Sequence, residues 1–175
     1  MVFQPQLRIL ISHDQIAKAV ERLACEIRTD YEDKQPLLIG VLKGSFVFMA
    51  DLIRQLDLPL ELEFVKVCSY GARQGTSGRV RLVQRLSTPV KGRDVLVIED
   101  IVDTGITISF VLDYLRKKKP ASLKVCALTD KPSRRRVPVS IDYLGLSLPN
   151  KFVVGYGLDF DQSFRNLPDI YALED

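Results

Sequence analysis

Two apolar runs carry no polar alternation at all: Leu37–Leu42 (LLIGVL) and Val95–Ile98 (VLVI). A strand of that kind must be covered on both faces, which is the situation of a parallel strand between two layers of helix. Each run is followed by a segment of helical period, at 46–56 (FVFMADLIRQL) and at 107–118. A third strand follows at Leu123–Leu128, and strand–helix–strand units in this order build a parallel sheet. Upstream, Ile9–Ile11 is a short strand candidate. Ser12 with Gln15 forms a capping box, and Ile16, Val20, Leu23 and Ile27 recur at helical spacing behind it. Leu60–Cys68 is strand-like, 71–78 (GARQGTSG) is a polar glycine-rich loop, and Val80–Leu86 resumes alternation as the return arm of a hairpin. The fold class expected is α/β, an open, mostly parallel sheet flanked by helices on both faces.

A chain of 175 residues predicts a single domain spanning 1–175. Such a chain buries roughly 70% of its unfolded surface and needs no disulfide or metal staple. The sheet occupies about residues 1–130. The proline-punctuated, aromatic tail from 131 to 175, with the N-terminal residues, is expected to form a small irregular lobe over the sheet edge. The longest stretch without a charge is the nine residues Thr104–Leu112, whereas a membrane-spanning helix needs about 20 apolar residues. The first residues, MVFQPQLRILISHD, lack the basic start and apolar core of a secretory signal, so a cytoplasmic protein without membrane contact is expected.

Cys25, Cys68 and Cys126 are odd in number and widely spaced, and read as small buried hydrophobes rather than as a disulfide or zinc framework. His13 is the only histidine, and it falls at a helix start. Whatever chemistry the chain performs therefore falls to carboxylates, lysine, arginine or the backbone. Net charge is only +3, too even-handed for a duplex-binding module. The basic runs Arg116–Lys119 and Arg134–Arg136 read as a helix end and a solvated face.

In open parallel sheets ligands bind beyond the carboxyl ends of the strands. The junction after Ile98 is the most informative. Glu99 and Asp100 are followed by Asp103-Thr104-Gly105-Ile106-Thr107 opening a helix. The second group has the parts of a phosphate cradle: a glycine allowing close backbone approach, two hydroxyls, and a helix N-terminus with free N–H groups. Two carboxylates would repel a bare phosphate, so sugar hydroxyls or a divalent cation must lie between them and it. No GxxxxGK[ST] string occurs, and Gly155-Tyr156-Gly157 is not continued to a dinucleotide fingerprint.

The string VLVIEDIVDTG (95–105) resembles the phosphoribosyl pyrophosphate motif of type I phosphoribosyltransferases. With Leu42-Lys43-Gly44-Ser45, Ser69-Tyr70, Lys131-Pro132 and KFVVGYGLDFDQSFRNLPDI (151–170), it is most similar to the 6-oxopurine branch, the hypoxanthine-guanine phosphoribosyltransferases. The resemblance implies a type I phosphoribosyltransferase-like fold with a C-terminal purine-binding hood. It also implies transfer of 5-phosphoribosyl from phosphoribosyl pyrophosphate to N9 of hypoxanthine or guanine.

By the same resemblance the ribose and 5-phosphate fall to Glu99, Asp100, Asp103, Thr104, Gly105, Ile106 and Thr107. Pyrophosphate falls to Lys43, Gly44 and Arg165, with a cis peptide often preceding the lysine. The purine falls to Lys131, Phe152 and the Val153 carbonyl, and a lid begins at Ser69-Tyr70. Asp103 would take the proton from purine N7, and magnesium (Mg2+) would be held near Glu99, Asp100 and Asp159. A homodimer or homotetramer acting on small molecules, without nucleic acid, is implied. The alternative is a regulator of the same fold that senses nucleotides and binds RNA or DNA, for which the basic runs would serve.

Overall fold

The computed structural model describes residues 6–70 and 79–174. Its main sheet has six strands in the order β4-β3-β2-β5-β6-β7. These are β2 (Leu37–Leu42), β3 (Glu61–Tyr70), β4 (Arg79–Gln84), β5 (Asp94–Val102), β6 (Ser122–Asp130) and β7 (Tyr143–Ser147). All neighbours are parallel except the β3–β4 hairpin. The two wholly apolar runs, in β2 and β5, lie side by side at its centre, with Leu37 opposite Val95 and Gly40 opposite Ile98.

Alternation sorts their side chains into two cores, because successive strand residues face opposite ways. Leu38, Leu96, Ile98, Cys126 and Leu128 pack with α1 (His13–Asp30) and α2 (Phe46–Leu56). Leu37, Ile39, Val41, Val95, Val97 and Val125 pack with α3 (Ile106–Arg116). The expected capping box closes α1: the Gln15 N–H donates to Ser12 Oγ at 3.3 Å, and the Ser12 N–H to Gln15 Oε1 at 2.9 Å.

The tail is more regular than expected. It contributes β7 to the main sheet, and β8 (Val153–Val154) and β9 (Ile170–Glu174) join β1 (Gln6–Ile11) in a separate antiparallel sheet of order β1-β9-β8. Segments of two and five residues carry too little periodicity to be read as strands, and β1, which completes their sheet, lies at the other end of the chain. The cysteine reading also needs correction. Cys126 is buried, Cys68 is half-buried, and Cys25 is exposed on α1, because its position falls off the apolar stripe of Ile16, Val20, Leu23 and Ile27.

Glu63 on β3 supplies a stability test. Burial alone would raise its pKa, but hydrogen bonds from the Ser87 hydroxyl and the N–H groups of Phe64, Thr88 and Ser87 overcome this and hold it down at about 2. A depressed carboxylate stabilises the fold above its unfolded pKa, and that contribution is lost as pH falls towards the folded value. Glu63→Gln should therefore lower the melting temperature at pH 7 by a few degrees, on the order of 1 kcal/mol. The difference from the parent should shrink as pH drops from about 4.5 towards 2. Equal melting curves at pH 7 would remove the carboxylate from that role.

Candidate active site

The chain leaves β2 through α2 to β3 on one side, while β5 lies on β2's other side. A crevice therefore opens beyond the carboxyl ends of β2 and β5, where strand order reverses. The loop after β2 carries Lys43 and Gly44, and the end of β5 carries Glu99 and Asp100. The turn after β5 carries Asp103 to Gly105.

Glu99 and Asp100 are both buried at the strand end. Glu99 Oε2 has no hydrogen-bond partner. Burial raises its pKa well above the usual carboxylate value, and the adjacent Asp100 raises it further. Asp100 is raised too, by burial, against the pull of backbone N–H groups and the Arg165 guanidinium. Thr129 Oγ1 donates to the Asp100 carbonyl at 2.8 Å, which fixes the backbone beneath it. A buried, unpartnered carboxylate oxygen is costly unless something is meant to meet it. A hard divalent cation or a sugar hydroxyl has the chemistry to do so, and the pair therefore fits magnesium.

Gly44 sits directly against this pair: a Cβ there would collide with the Asp100 carboxylate. The peptide Leu42–Lys43 is cis, the bond anticipated before the lysine. From the opposite side Gly157, at φ 95°, packs so that a Cβ would strike the Gly44 carbonyl. Three segments distant in sequence thus meet without room for a methyl group. The Lys43 ammonium donates to Gln162 Oε1 at 2.8 Å. Arg165 donates to the Gly157 carbonyl at 2.7 Å and pairs with Asp159 at 2.7 Å. Asp159 Oδ2 also accepts from the Gln162 N–H at 2.9 Å. Among the described residues no three His, Cys, Asp or Glu side chains converge as a metal cage. Magnesium does not require one, because it is commonly held by one or two carboxylates plus substrate oxygens and water.

The cradle lines a cavity of about 240 Å³ that runs from Glu99 through Asp103, Thr104 and Gly105 to Thr107. Gly105 caps α3 at φ 83°, a left-handed conformation, and a Cβ there would strike the Val137 carbonyl. Thr104 Oγ1, just before this cap, accepts from the Ile106 N–H at 3.4 Å. An adjoining cavity of about 300 Å³ brings together Lys43, Asp100, Asp103, Lys131, Phe152 and Arg165. Lys131 is buried, donates to the Lys151 carbonyl at 2.6 Å, and has its pKa lowered by burial, with the Asp103 charge acting against this. Phe152 is 53% exposed rather than packed in the core, and meets Phe160 edge-on at 5.6 Å. The Val153 backbone lies in β8 at the rim.

Ser69 and Tyr70 end β3, paired with Val80 and Arg79. The loop expected to close as a lid, 71–78, lies outside the described residues.

The run Arg134–Arg136 is not a free solvated face. Arg134 Nε donates to Asp103 Oδ1 at 2.7 Å, and Arg135 Nη1 donates to the Asp103 carbonyl at 3.0 Å while its guanidinium pairs with Asp130. The N–H groups of Arg136 and Val137 both donate to the Thr104 carbonyl, at 2.9 and 3.0 Å. The Arg134 and Arg135 side chains and the Arg136 backbone thus brace the turn after β5. A charge run in a sequence has no direction, so nothing local could have announced this use. The other run keeps its expected place at the carboxyl end of α3, where cations oppose the helix dipole. Gln162 also escaped the sequence reading, since it meets Lys43 only across the fold.

A glycine-capped turn opening a helix and a buried acidic pair at the switch point of a parallel sheet, with a small antiparallel sheet beside them, define an α/β domain of the phosphoribosyltransferase type. The chain belongs to the phosphoribosyl transferase domain family, whose model matches residues 8–161, and to its hypoxanthine-guanine phosphoribosyltransferase branch. It is 46% identical over 167 residues to the hypoxanthine-guanine phosphoribosyltransferase of Bacillus subtilis, covering 95% of this chain and 93% of that one. A crystal structure of a hypoxanthine-guanine phosphoribosyltransferase from Bacillus anthracis superimposes with a TM-score of 0.91 at 40% identity, covering 98% of this chain and 100% of the other. A Trypanosoma cruzi hypoxanthine phosphoribosyl transferase, studied for the role of its C-terminal region in oligomeric state and activity, gives 0.90 at 40% identity over 99% and 94% of the two chains.

Proposed function

We propose that this protein is a purine-salvage enzyme, transferring 5-phosphoribosyl from phosphoribosyl pyrophosphate to N9 of hypoxanthine and guanine. The products are the nucleoside monophosphate and pyrophosphate. The observation that carries this reading is one cavity shared by Asp103, Lys131, Phe152, Lys43 and Arg165, opening beside the cradle. The 5-phosphate sits in the cradle of Asp103 to Thr107, against the N–H groups at the start of α3. Glu99 and Asp100 address the ribose hydroxyls. Lys43, the Gly44 backbone and Arg165 receive pyrophosphate.

Phe152 stacks on the base and Lys131 donates to its 6-oxo group, while the Val153 carbonyl meets the far edge. As purine N9 bonds to ribose C1 and the C1–oxygen bond to pyrophosphate breaks, Asp103 accepts the proton leaving N7. Glu99, Asp100 and Asp159, together with substrate oxygens, would hold magnesium, which would supply charge neutralisation at the leaving pyrophosphate. Assembly as a homodimer or homotetramer in the cytoplasm completes the proposal. Support for it comes from the relatives' named activities and, for oligomers, from the T. cruzi protein. The nucleic-acid-binding alternative draws no support, since the relatives are named as enzymes and the Arg134 and Arg135 side chains are engaged with Asp103.

The test is to mix protein, magnesium, phosphoribosyl pyrophosphate and hypoxanthine and to look for inosine monophosphate. Competing hypoxanthine, guanine, xanthine and adenine then ranks the bases. No nucleotide product from any base would sink the reading, and turnover in excess chelator would sink the metal. Lys131→Gln should raise KM for hypoxanthine about tenfold, the worth of a hydrogen bond from a charged donor. KM for phosphoribosyl pyrophosphate should move little, and unchanged hypoxanthine kinetics would place the base elsewhere.

A further inference from the structure

We infer that Arg134 is a positioning residue for Asp103, holding one carboxylate oxygen so that the other faces the purine; this rests on the base role proposed for Asp103. The cradle's backbone is already secured without it. Arg135 holds the Asp103 carbonyl, and the N–H groups of Arg136 and Val137 hold the Thr104 carbonyl. The Arg134 contact is of a different kind, from Nε to Oδ1 of the side chain alone at 2.7 Å. With the two side chains 44% and 37% exposed, such a pair contributes little to folding. What it supplies is orientation, because a charge-assisted hydrogen bond to one oxygen alone favours the carboxylate rotamer that turns the other oxygen away.

The same arginine reaches towards the base pocket at both ends of its own connections. Its backbone N–H donates to the Lys131 carbonyl at 3.1 Å, closing the short turn Pro132–Arg134 that begins beside Lys131. Its Nη1 donates to Asn150 Oδ1 at 3.4 Å, next to Lys151, whose carbonyl accepts from Lys131. Arg134 thus ties Asp103 to the two segments that carry Lys131 and Phe152. The proton acceptor and the base pocket are set relative to each other through one residue.

Steady-state kinetics of Arg134→Gln, Arg134→Lys and Asp103→Asn/Arg134→Gln test this. Arg134→Gln should lose about tenfold in kcat, a part of what a positioned base is worth, with KM for phosphoribosyl pyrophosphate within about twofold of the parent and the melting temperature unchanged. Arg134→Lys, which keeps the charge, should recover most of that loss. On the Asp103→Asn background Arg134→Gln should cost nothing further, because an arginine acting through the carboxylate has nothing left to orient. Full kcat in Arg134→Gln would overturn the inference. So would a fall in melting temperature that accounts for the loss, or an equal loss on the Asp103→Asn background. Full activity of Asp103→Asn alone would sink the base role; a tenfold loss in Arg134→Gln beside it would show that Arg134 acts by another route.

Discussion

Asp103→Asn is expected to lower kcat by about 10²-fold or more, the usual contribution of a general base, while KM for phosphoribosyl pyrophosphate changes little. Asparagine has nearly the shape of aspartate and leaves the backbone carbonyl of residue 103 to receive Arg135 as before. The loss therefore falls on proton transfer rather than on the cradle. His13, the one histidine, lines a different cavity with Asp51 and Tyr156, and so cannot substitute. Lys131 is engaged as a donor to the Lys151 carbonyl, and the Arg134 guanidinium has no acceptor atom. Pre-steady-state and steady-state measurement of kcat with hypoxanthine decides the matter, and a parental rate in the Asp103→Asn variant would remove Asp103 from the role.

Gly44→Ala should cost on the order of 10²-fold in kcat/KM for phosphoribosyl pyrophosphate, the scale of a misplacement of about 1 Å in a preorganised site. Gly44 does not occupy the left-handed region, so alanine meets no backbone penalty there. The whole effect is contact. The new methyl would meet the Asp100 carboxylate, which is buried and whose backbone carbonyl is held by Thr129. Retreat of the loop is blocked by Gly157 behind the Gly44 carbonyl. Either Asp100 or the Lys43 loop must shift, and both are proposed to meet the same substrate. A variant that folds with parental kcat/KM would show that the crevice has slack its geometry denies.

The core strands were legible because their signal is local. LLIGVL and VLVI are apolar at every position, and only a strand covered on both faces accommodates that, as β2 and β5 are. The cradle was legible for a related reason: carboxylates, threonines and glycine fall within nine residues, 99–107, on one strand–turn–helix. The hood was not. β8 is two residues long and exists through pairing with β9, which in turn pairs with β1 at the far end of the chain.

The sequence by itself thus determined the alternation of strands and helices and the strand–turn–helix that carries Glu99 to Thr107, and its lone histidine left the proposed acid–base role to a carboxylate. Only the tertiary structure decided what each charge faces. It turned Arg134 and Arg135 onto Asp103 and Asp130, set Gln162 against Lys43, and wedged Gly44 between Asp100 and Gly157. The physical reason is range. Hydrophobic period is written within a few residues, whereas a hydrogen bond between side chains far apart in the chain depends on how sheet order and loop paths bring them together.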